Sequence, residues 1–393
     1  MDFTFTEEQQ AAVEAARAVF SDVAPDRAPS PAVTPGAVAE DIDRQLWHEL
    51  ARTDLLGLTL SPDHGGAGLD PIALCLVLRE SAKVLARVPL LESCAVAMAI
   101  ERYGDRTLAA ELLPRAGRGE LILTVGANGR SGHDPAELAV SARPYGAVTG
   151  VGDGETDGPA GGSGWVLDGV QSAVPWAQAA DRIAVPAHTA GGRPVLALVP
   201  RTRDGVTLAD QVSTNGERLA EVRLEAVRVE ARELIDAAGC WDWLRSLLTT
   251  GTCALALGLG ERVLAMTAEY TGKREQFGFP VATFQAVAVQ AADRYIDLRA
   301  MEATLWQAAW RISTDTGGPL PAAGDVAVAK IWASDGVRRV VQTAQHLHGG
   351  FGADTDYPLH RYHAWAKQIE LSLGPAAAHE EALGDLLAAH PLG

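Results

Sequence analysis

The periodicity of apolar residues changes twice along this chain, and those two changes limit what it can fold into. Residues 1–120 read mostly as helix, 121–233 as short strands, and 234–393 as long helices again. At the start, Thr6-Glu7-Glu8-Gln9 offers an N-cap and an acidic first turn, followed by Val13, Ala16, Val19 and Phe20 at helical spacing. The stretch from Pro25 to Pro35 holds four prolines and reads as a loop. Helical spacing resumes from Ile72 to Leu85, after the turn Ser61-Pro62-Asp63-His64-Gly65-Gly66-Ala67-Gly68. No Lys-Ser/Thr pair follows those glycines, so the turn is structural rather than a phosphate loop.

From about Leu121 glycine becomes dense and short apolar runs appear, among them Val195-Leu196-Ala197-Leu198-Val199 and Val222 to Val229. Such runs between Gly/Pro/Asn turns predict a small antiparallel β-domain or barrel. Gly150 to Gly164 is nearly all Gly, Asp, Thr, Pro and Ser, and reads as a mobile hairpin loop. Beyond Leu234 four long helices are expected, at about Cys240–Gly272, Pro280–Thr314, Pro321–Leu347 and Tyr362–His390. Joined by short breaks, they imply a four-helix bundle, and the fold class is α+β.

Bulk properties narrow the function. A mean hydropathy of +0.03 suits a soluble globular protein, and no uninterrupted apolar run reaches the roughly 18–20 residues that span a bilayer. The N-terminus is acidic, with neither a basic region nor an apolar one, so no signal peptide is read and a cytoplasmic location is expected. Cys75, Cys94, Cys240 and Cys253 have no metal-ligand spacing and are expected to be buried thiols. A net charge of −17 argues against a nucleic-acid partner and gives no help to an anionic ligand such as coenzyme A.

Two motifs carry the chemistry. The first is Lys273-Arg274-Glu275-Gln276-Phe277-Gly278-Phe279-Pro280 through Gln285, and the second is Gln345-His346-Leu347-His348-Gly349-Gly350-Phe351-Gly352. In this order they resemble the C-terminal domain of acyl-CoA dehydrogenases. Thr6-Glu7-Glu8-Gln9, Pro62 to Gly68, Val222 to Val229 and Asp356-Tyr357-Pro358-Leu359-His360-Arg361-Tyr362 extend the resemblance over essentially the whole chain. It implies an N-terminal helical domain, a middle antiparallel β-domain and a C-terminal four-helix bundle. It also implies FAD, an acyl-CoA substrate and α,β-desaturation, the oxidoreductase chemistry of lipid metabolism.

Family members place FAD at a subunit interface, with the isoalloxazine on one subunit's β-domain and the ADP half on a neighbour's bundle. By resemblance Arg274, Gln276, Phe277, Gln285, Gln345, Gly349 and Gly350 take the second role. The chemistry of these residues agrees. Arg274 pairs bidentately with pyrophosphate oxygens, and Gly349-Gly350 lets backbone N–H groups approach phosphate without a Cβ in the way.

The catalytic groups depart from the pattern. The family's base is a glutamate near the C-terminus, and the matching position is Leu373, followed by Gly374 and Pro375. Some members carry the base 26 residues before the motif arginine, and that position is Leu248. Leucine cannot accept a proton. Among nearby carboxylates (Asp242, Glu370, Glu380, Glu381), Glu370 is a weak candidate for a displaced base. The flavin-contacting segments are altered too: only Thr124 and Ser131 offer hydroxyls, and Pro175 replaces a hydroxyl-bearing residue and lacks an N–H. Trp176 follows, as a ring to stack or as an ordinary core aromatic.

The groups that hold a neighbour's FAD are kept, and those that serve this chain's own flavin and base are missing. The expected protein is therefore one subunit of a heteromeric α2β2 acyl-CoA dehydrogenase whose partner brings the glutamate. It resembles actinobacterial two-gene enzymes, several of which act on steroid side-chain thioesters, with an electron-transferring flavoprotein as the expected acceptor. Two alternatives stay open: a self-sufficient homo-oligomer using Glu370 or altered chemistry, and a non-enzymatic structural subunit. No metal and no membrane contact is expected.

Overall fold

A computed structural model describes residues 4–130, 137–145, 164–314 and 316–391. The expected hairpin loop over 150–164 falls almost wholly outside these residues, as does Ser131.

The N-terminal part is five helices: α1 (Glu7–Phe20), α2 (Arg44–Arg52), α3 (Pro71–Lys83), α4 (Leu90–Tyr103) and α5 (Arg106–Gly117). Local chemistry sets their starts. Thr6 caps α1 in a reciprocal box: its hydroxyl accepts from Gln9 N at 3.2 Å, and Gln9 Oε1 accepts from Thr6 N at 3.0 Å. Asp43, Asp70 and Asp105 cap α2, α3 and α5 through their carboxylates. The proline-rich stretch after α1 is irregular apart from one short turn at Pro25–Arg27.

Among the described residues the middle part is one eight-stranded sheet. Its strands are β1 (Leu123–Val125), β2 (Val140–Tyr145), β3 (Gly164–Pro175), β4 (Arg182–His188), β5 (Pro194–Pro200), β6 (Val206–Val212), β7 (Arg218–Glu230) and β8 (Leu234–Ile235). They run in the order β6-β7-β3-β2-β4-β5-β8, with β1 added beside β4. The sheet is mixed rather than purely antiparallel: β1 and β4 run parallel, Thr124 opposite Ile183. A three-residue strand carries too little alternation to betray its direction. Pairing of β3 with β7 slips between Gln171 and Val174, a bulge that puts Ala173 at φ +50° and turns the end of β3 toward the helices.

The C-terminal part holds α6 (Cys240–Lys273), α7 (Gln285–Thr314), α8 (Ala322–His348), α9 (Leu359–Leu371) and α10 (Ala376–Ala389). The last expected helix is in fact two. Leu373 (φ +58°), Gly374 (φ +101°) and Pro375 break it, because left-handed backbone followed by proline ends a helix. Between α6 and α7 lies a tight hairpin, β9 (Glu275–Gln276) and β10 (Phe279–Pro280), turned by Phe277 and Gly278 at φ +53° and +82°.

Helix α6 is the axis of the bundle. It is long and apolar enough to cross a membrane, but 78% of its most apolar window is buried inside the fold. It packs on α3, α4, α7, α8 and α9. Gly258 sits where α6 crosses α3, and a Cβ there would fall 1.9 Å from the Arg79 carbonyl oxygen. Around this crossing Arg79 pairs with Glu261 and Glu302, and Lys83 with Glu80 and Glu261. Tyr362 of α9 donates to the Lys83 carbonyl at 2.7 Å.

Gly258→Ala is therefore expected to cost about 1–3 kcal/mol by overpacking. Gly272→Ala, at a helical site with nothing within 4 Å of the added methyl, should instead be neutral or stabilising. Urea midpoints of the two variants test this, and equal effects would refute the close crossing.

Candidate functional site

Two sites lie toward opposite ends of α6. Near its N-terminal half, α4, the end of β3, the β6–β7 turn, α6 and the end of α9 enclose a largely apolar cavity of about 430 Å³. Leu248 and Leu373, the two expected base positions, both line it. They are 125 residues apart in sequence and come together in one cavity lining, each a branched alkyl group where the resemblance expects a carboxylate.

Glu370 does not line this cavity. It faces α8, where its carboxylate pairs with Lys367 at 2.6 Å and lies 3.8 Å from Arg338. Its position three residues before Leu373 makes it the candidate displaced base in the sequence; the helix face it occupies turns it away. Beside it the buried Lys330 ammonium donates to Ser334 Oγ and to the carbonyls of Ile369 and Glu370, tying down the end of α9. Burial pulls that ammonium down to about 8. Glu380 and Glu381 are exposed on α10, and Asp242 is exposed in the first turn of α6.

The β-domain wall offers a flavin little. Thr124 is fully buried, and its hydroxyl donates to the Pro175 carbonyl at 2.6 Å, so it is committed. Pro175 brings no N–H. Trp176, at φ +57°, lines the cavity, and its indole donates to Glu92 of α4. The ring is part of the wall between β-domain and helices.

Glu92 is a site residue that the sequence reading passed over. Burial pushes its carboxyl up to about 7, against the opposing effect of the Trp176 hydrogen bond. Its signal was present: it is the lone charge in Leu90-Leu91-Glu92-Ser93-Cys94-Ala95-Val96-Ala97-Met98-Ala99-Ile100. A second such residue is Trp365 of α9, which lines the cavity and whose indole N–H is buried without a partner.

The other site is at the far end of α6. Arg274 follows the last helical residue, exposed, and its guanidinium makes no ion pair or hydrogen bond among the described residues. With Arg262, Tyr270, Lys273 and Tyr357 it lines an open cavity of about 410 Å³. Gln276 and Phe277 sit on the β9–β10 hairpin, where the Phe277 ring is 90% exposed, and Gln285 begins α7, also exposed. The rings of Phe277 and Phe284 meet edge to face at 6.4 Å, which draws hairpin and α7 together.

Tyr270 joins this group to the second motif. Its ring stacks on His348 at 4.4 Å and on Phe351 at 5.1 Å, and its hydroxyl donates to the His348 carbonyl at 3.4 Å. Gly349 and Gly350 lie just beyond, with open space where a side chain would be, and Gly349 has φ +59°. Gln345 packs its amide against Gly352. Free guanidinium, exposed aromatic ring and bare glycine backbone are a donor set that fits a pyrophosphate with an attached ring system. Among the described residues no cluster of His, Cys, Asp or Glu suits a metal ion.

Residues 6–120 match the family described as Acyl-CoA dehydrogenase, N-terminal domain, and 248–387 that described as Acyl-CoA dehydrogenase, C-terminal domain. Acyl-CoA dehydrogenase FadE27 of Mycobacterium tuberculosis is 36% identical over 354 residues, 89% of each chain. A chain in the crystal structure of the ChsE4-ChsE5 complex from Mycobacterium tuberculosis is 34% identical, covers both chains fully and superposes with a TM-score of 0.86. A variant of the Tcur3481-Tcur3483 steroid ACAD gives 35%, 98% of each chain and 0.84. Butyryl-CoA dehydrogenase from Megasphaera elsdenii, at 23% identity and a TM-score of 0.83, shares the fold.

Glu92 yields a pH prediction. Its folded pKa of about 7 lies above the ordinary 4.5, so the folded state keeps a proton that the unfolded chain has lost. Stability from this group is full below pH 4.5 and lost as pH rises through 7. Glu92→Gln does not titrate, so its stability should overtake the parent's between about pH 5 and 8, by up to about 3 kcal/mol. Thermal melts across that range test this; a gap independent of pH would refute it.

Proposed function

Because the chain belongs to the acyl-CoA dehydrogenase family, we propose that it is the subunit without a base in a heteromeric, cytoplasmic acyl-CoA dehydrogenase. A second subunit of the same family brings the catalytic glutamate and the flavin-facing β-domain. This chain holds the ADP half of the partner's FAD. When bound, FAD takes up the hydride lost from the β-carbon of an acyl-CoA thioester.

One observation carries the reading: Leu248 lies within the continuous helix α6 and Arg274 directly follows its last residue, 26 residues further on. At about 1.5 Å per residue that is roughly 39 Å, farther than one FAD molecule reaches. The cation at the end of α6 and the chain's own apolar cavity therefore do not serve the same cofactor. Arg274, Gln276, Phe277 and Gln285 face outward beside Gly349-Gly350, where a neighbouring subunit can approach. The exposed apolar side chains of this region, Phe277, Phe279, Val289, Tyr295 and Ile296, suit burial at a subunit contact.

Arg274 would pair with pyrophosphate oxygens, Phe277 would cover a ring face, and Gln276, Gln285 and Gln345 would offer amide groups. In the chain's own cavity Leu248 and Leu373 exclude water and move no proton. Heteromeric relatives favour the same reading, since the ChsE4-ChsE5 and Tcur3481-Tcur3483 structures each pair two chains. The second of these is a steroid ACAD, which makes a steroid side-chain thioester the first substrate to try. Buried free thiols at all four cysteines suit a reducing compartment. An electron-transferring flavoprotein is the proposed acceptor.

The chain purified alone should carry no stoichiometric flavin by absorbance and show no dehydrogenase activity. Co-expressed with a neighbouring family member that has the glutamate, it should yield a yellow complex. Arg274→Ala should lower the complex's FAD content about tenfold or more, from loss of a charge-assisted pair worth about 1.5–3 kcal/mol. Full flavin and turnover in the lone chain would overturn the proposal.

A further inference from the structure

Lys330 of α8 is 1% exposed, and its ammonium donates to Ser334 Oγ at 2.8 Å and to the carbonyls of Ile369 and Glu370 at 3.1 and 3.0 Å. Three N–H groups meet three neutral acceptors, two of them carbonyls in the last turn of α9. The bonds are complete, but a charge buried among neutral partners still forfeits its hydration. The Glu370 carboxylate, whose field favours the charge, is itself bonded to Lys367 at 2.6 Å. Cys253 of α6 acts on the amine as a neutral thiol, pushed up to about 12 by burial. Burial holds His363 of α9 below the ordinary imidazole value. From α7, Arg294, Asp297 and Arg311 reach α8 and bond Thr343, Arg339 and Asp325 there. From α10, His379 donates to the Leu373 carbonyl at 2.9 Å.

The segment these groups hold borders the cavity through Ile369, Leu371, Ser372 and Leu373. Ile369 is the last buried side chain of α9, and none of the next four residues is buried. Leu371 is 51% exposed, and Leu373 takes left-handed backbone at φ +58°, a strained state for a residue with a Cβ. Polar bonds from Lys330, Ser334 and His379, with Arg338 at 3.8 Å from Glu370, fasten this stretch to α8 and α10.

We propose that the end of α9, with the turn at Leu373, is a latch on the wall of the apolar cavity, and that it opens with uptake of a solvent proton by Lys330. Opening lifts the Ile369 and Glu370 carbonyls off the amine and lets water reach it. The closed amine titrates at about 8 and a hydrated one at the ordinary 10.5, so between these values the open form keeps a proton that the closed form has lost. Opening is therefore most frequent at pH 8 and below, and is suppressed as pH rises toward 10.5. A lysine that served only as a helix cap would act the other way, because its hold on the carbonyls would weaken as it lost its charge. The latch needs neither flavin nor a second subunit, so its failure is separate from failure of the proposed enzyme.

Native-state proteolysis with subtilisin tests this on the full-length chain, in whatever assembly it purifies. The rate of cleavage between Ile369 and Pro375, divided by that of an unstructured peptide of the same sequence, reads the open fraction. From about pH 8 to about pH 10 this ratio should fall at least about tenfold. Lys330→Met keeps the alkyl stem without the titrating group and should remove the pH dependence. Should that variant fail to fold, the parent profile decides alone. A ratio that is flat or rises with pH overturns the latch. So does a fall matched by cleavage within α3, which would report unfolding of the whole chain, or a pH dependence retained in the folded variant.

Discussion

The crossing of α6 over α3 is the constraint on which the rest depends. Gly258 lets the two backbones touch, and nothing larger fits against the Arg79 carbonyl. The carboxylates of Glu261 and Glu302 gather around Arg79 because they are carried on α6 and α7 at that same level. Once α6 is seated, its two ends are aimed. One end lies beneath the β-domain and contributes Leu248 to the apolar cavity. The other runs out past Lys273 into the solvent-facing hairpin with Arg274. A rigid helix with 78% of its apolar window buried holds these two chemistries apart with little freedom to bend one toward the other.

Much of this was legible because the strongest signals are local. The Thr6 capping box, the extent of α6 and the break before α7 follow from spacing, caps and proline. The second motif stops α8 at His348 because Gly349 adopts positive φ. What the sequence hid was of two kinds. The split between α9 and α10 was written in Gly374-Pro375, but apolar periodicity on both sides masked it. The parallel pairing of β1 and the facing of Glu370 depend on neighbours far along the chain. A small rotation about the axis of α9 separates a carboxylate that pairs with Lys367 from the residues that line the cavity.

Glu92 illustrates a different limit. A lone carboxyl on an apolar helix is visible in the sequence, but its meaning is set by what it meets. Here it meets Trp176, placed by a bulge in β3 and by left-handed backbone at positions 173 and 176. Left-handed backbone at a residue with a Cβ costs about 1–2 kcal/mol, and two such sites three residues apart persist only where packing compensates them. By resemblance this stretch is where family members present flavin-contacting groups, and here the indole fills its corner. The same bulge thus helps supply a hydrogen-bond partner for the half-buried Glu92 carboxyl.

The two leucines complete that conversion. A glutamate at either position would need water or a cation to stay ionised in so apolar a wall, or would have its pKa raised as that of Glu92 is. Leucine removes that requirement at both positions. The bundle end keeps Arg274 unpaired among the described residues and Phe277 90% exposed, both unfavourable for an isolated chain. A cavity with leucine at both expected base positions, beside a surface that keeps its exposed cation and rings, is what the proposed division of labour between two subunits requires. Under the proposed division of labour the catalytic burden leaves the inside of this chain, while the cofactor-gripping surface stays, because its ligand would come from the neighbour.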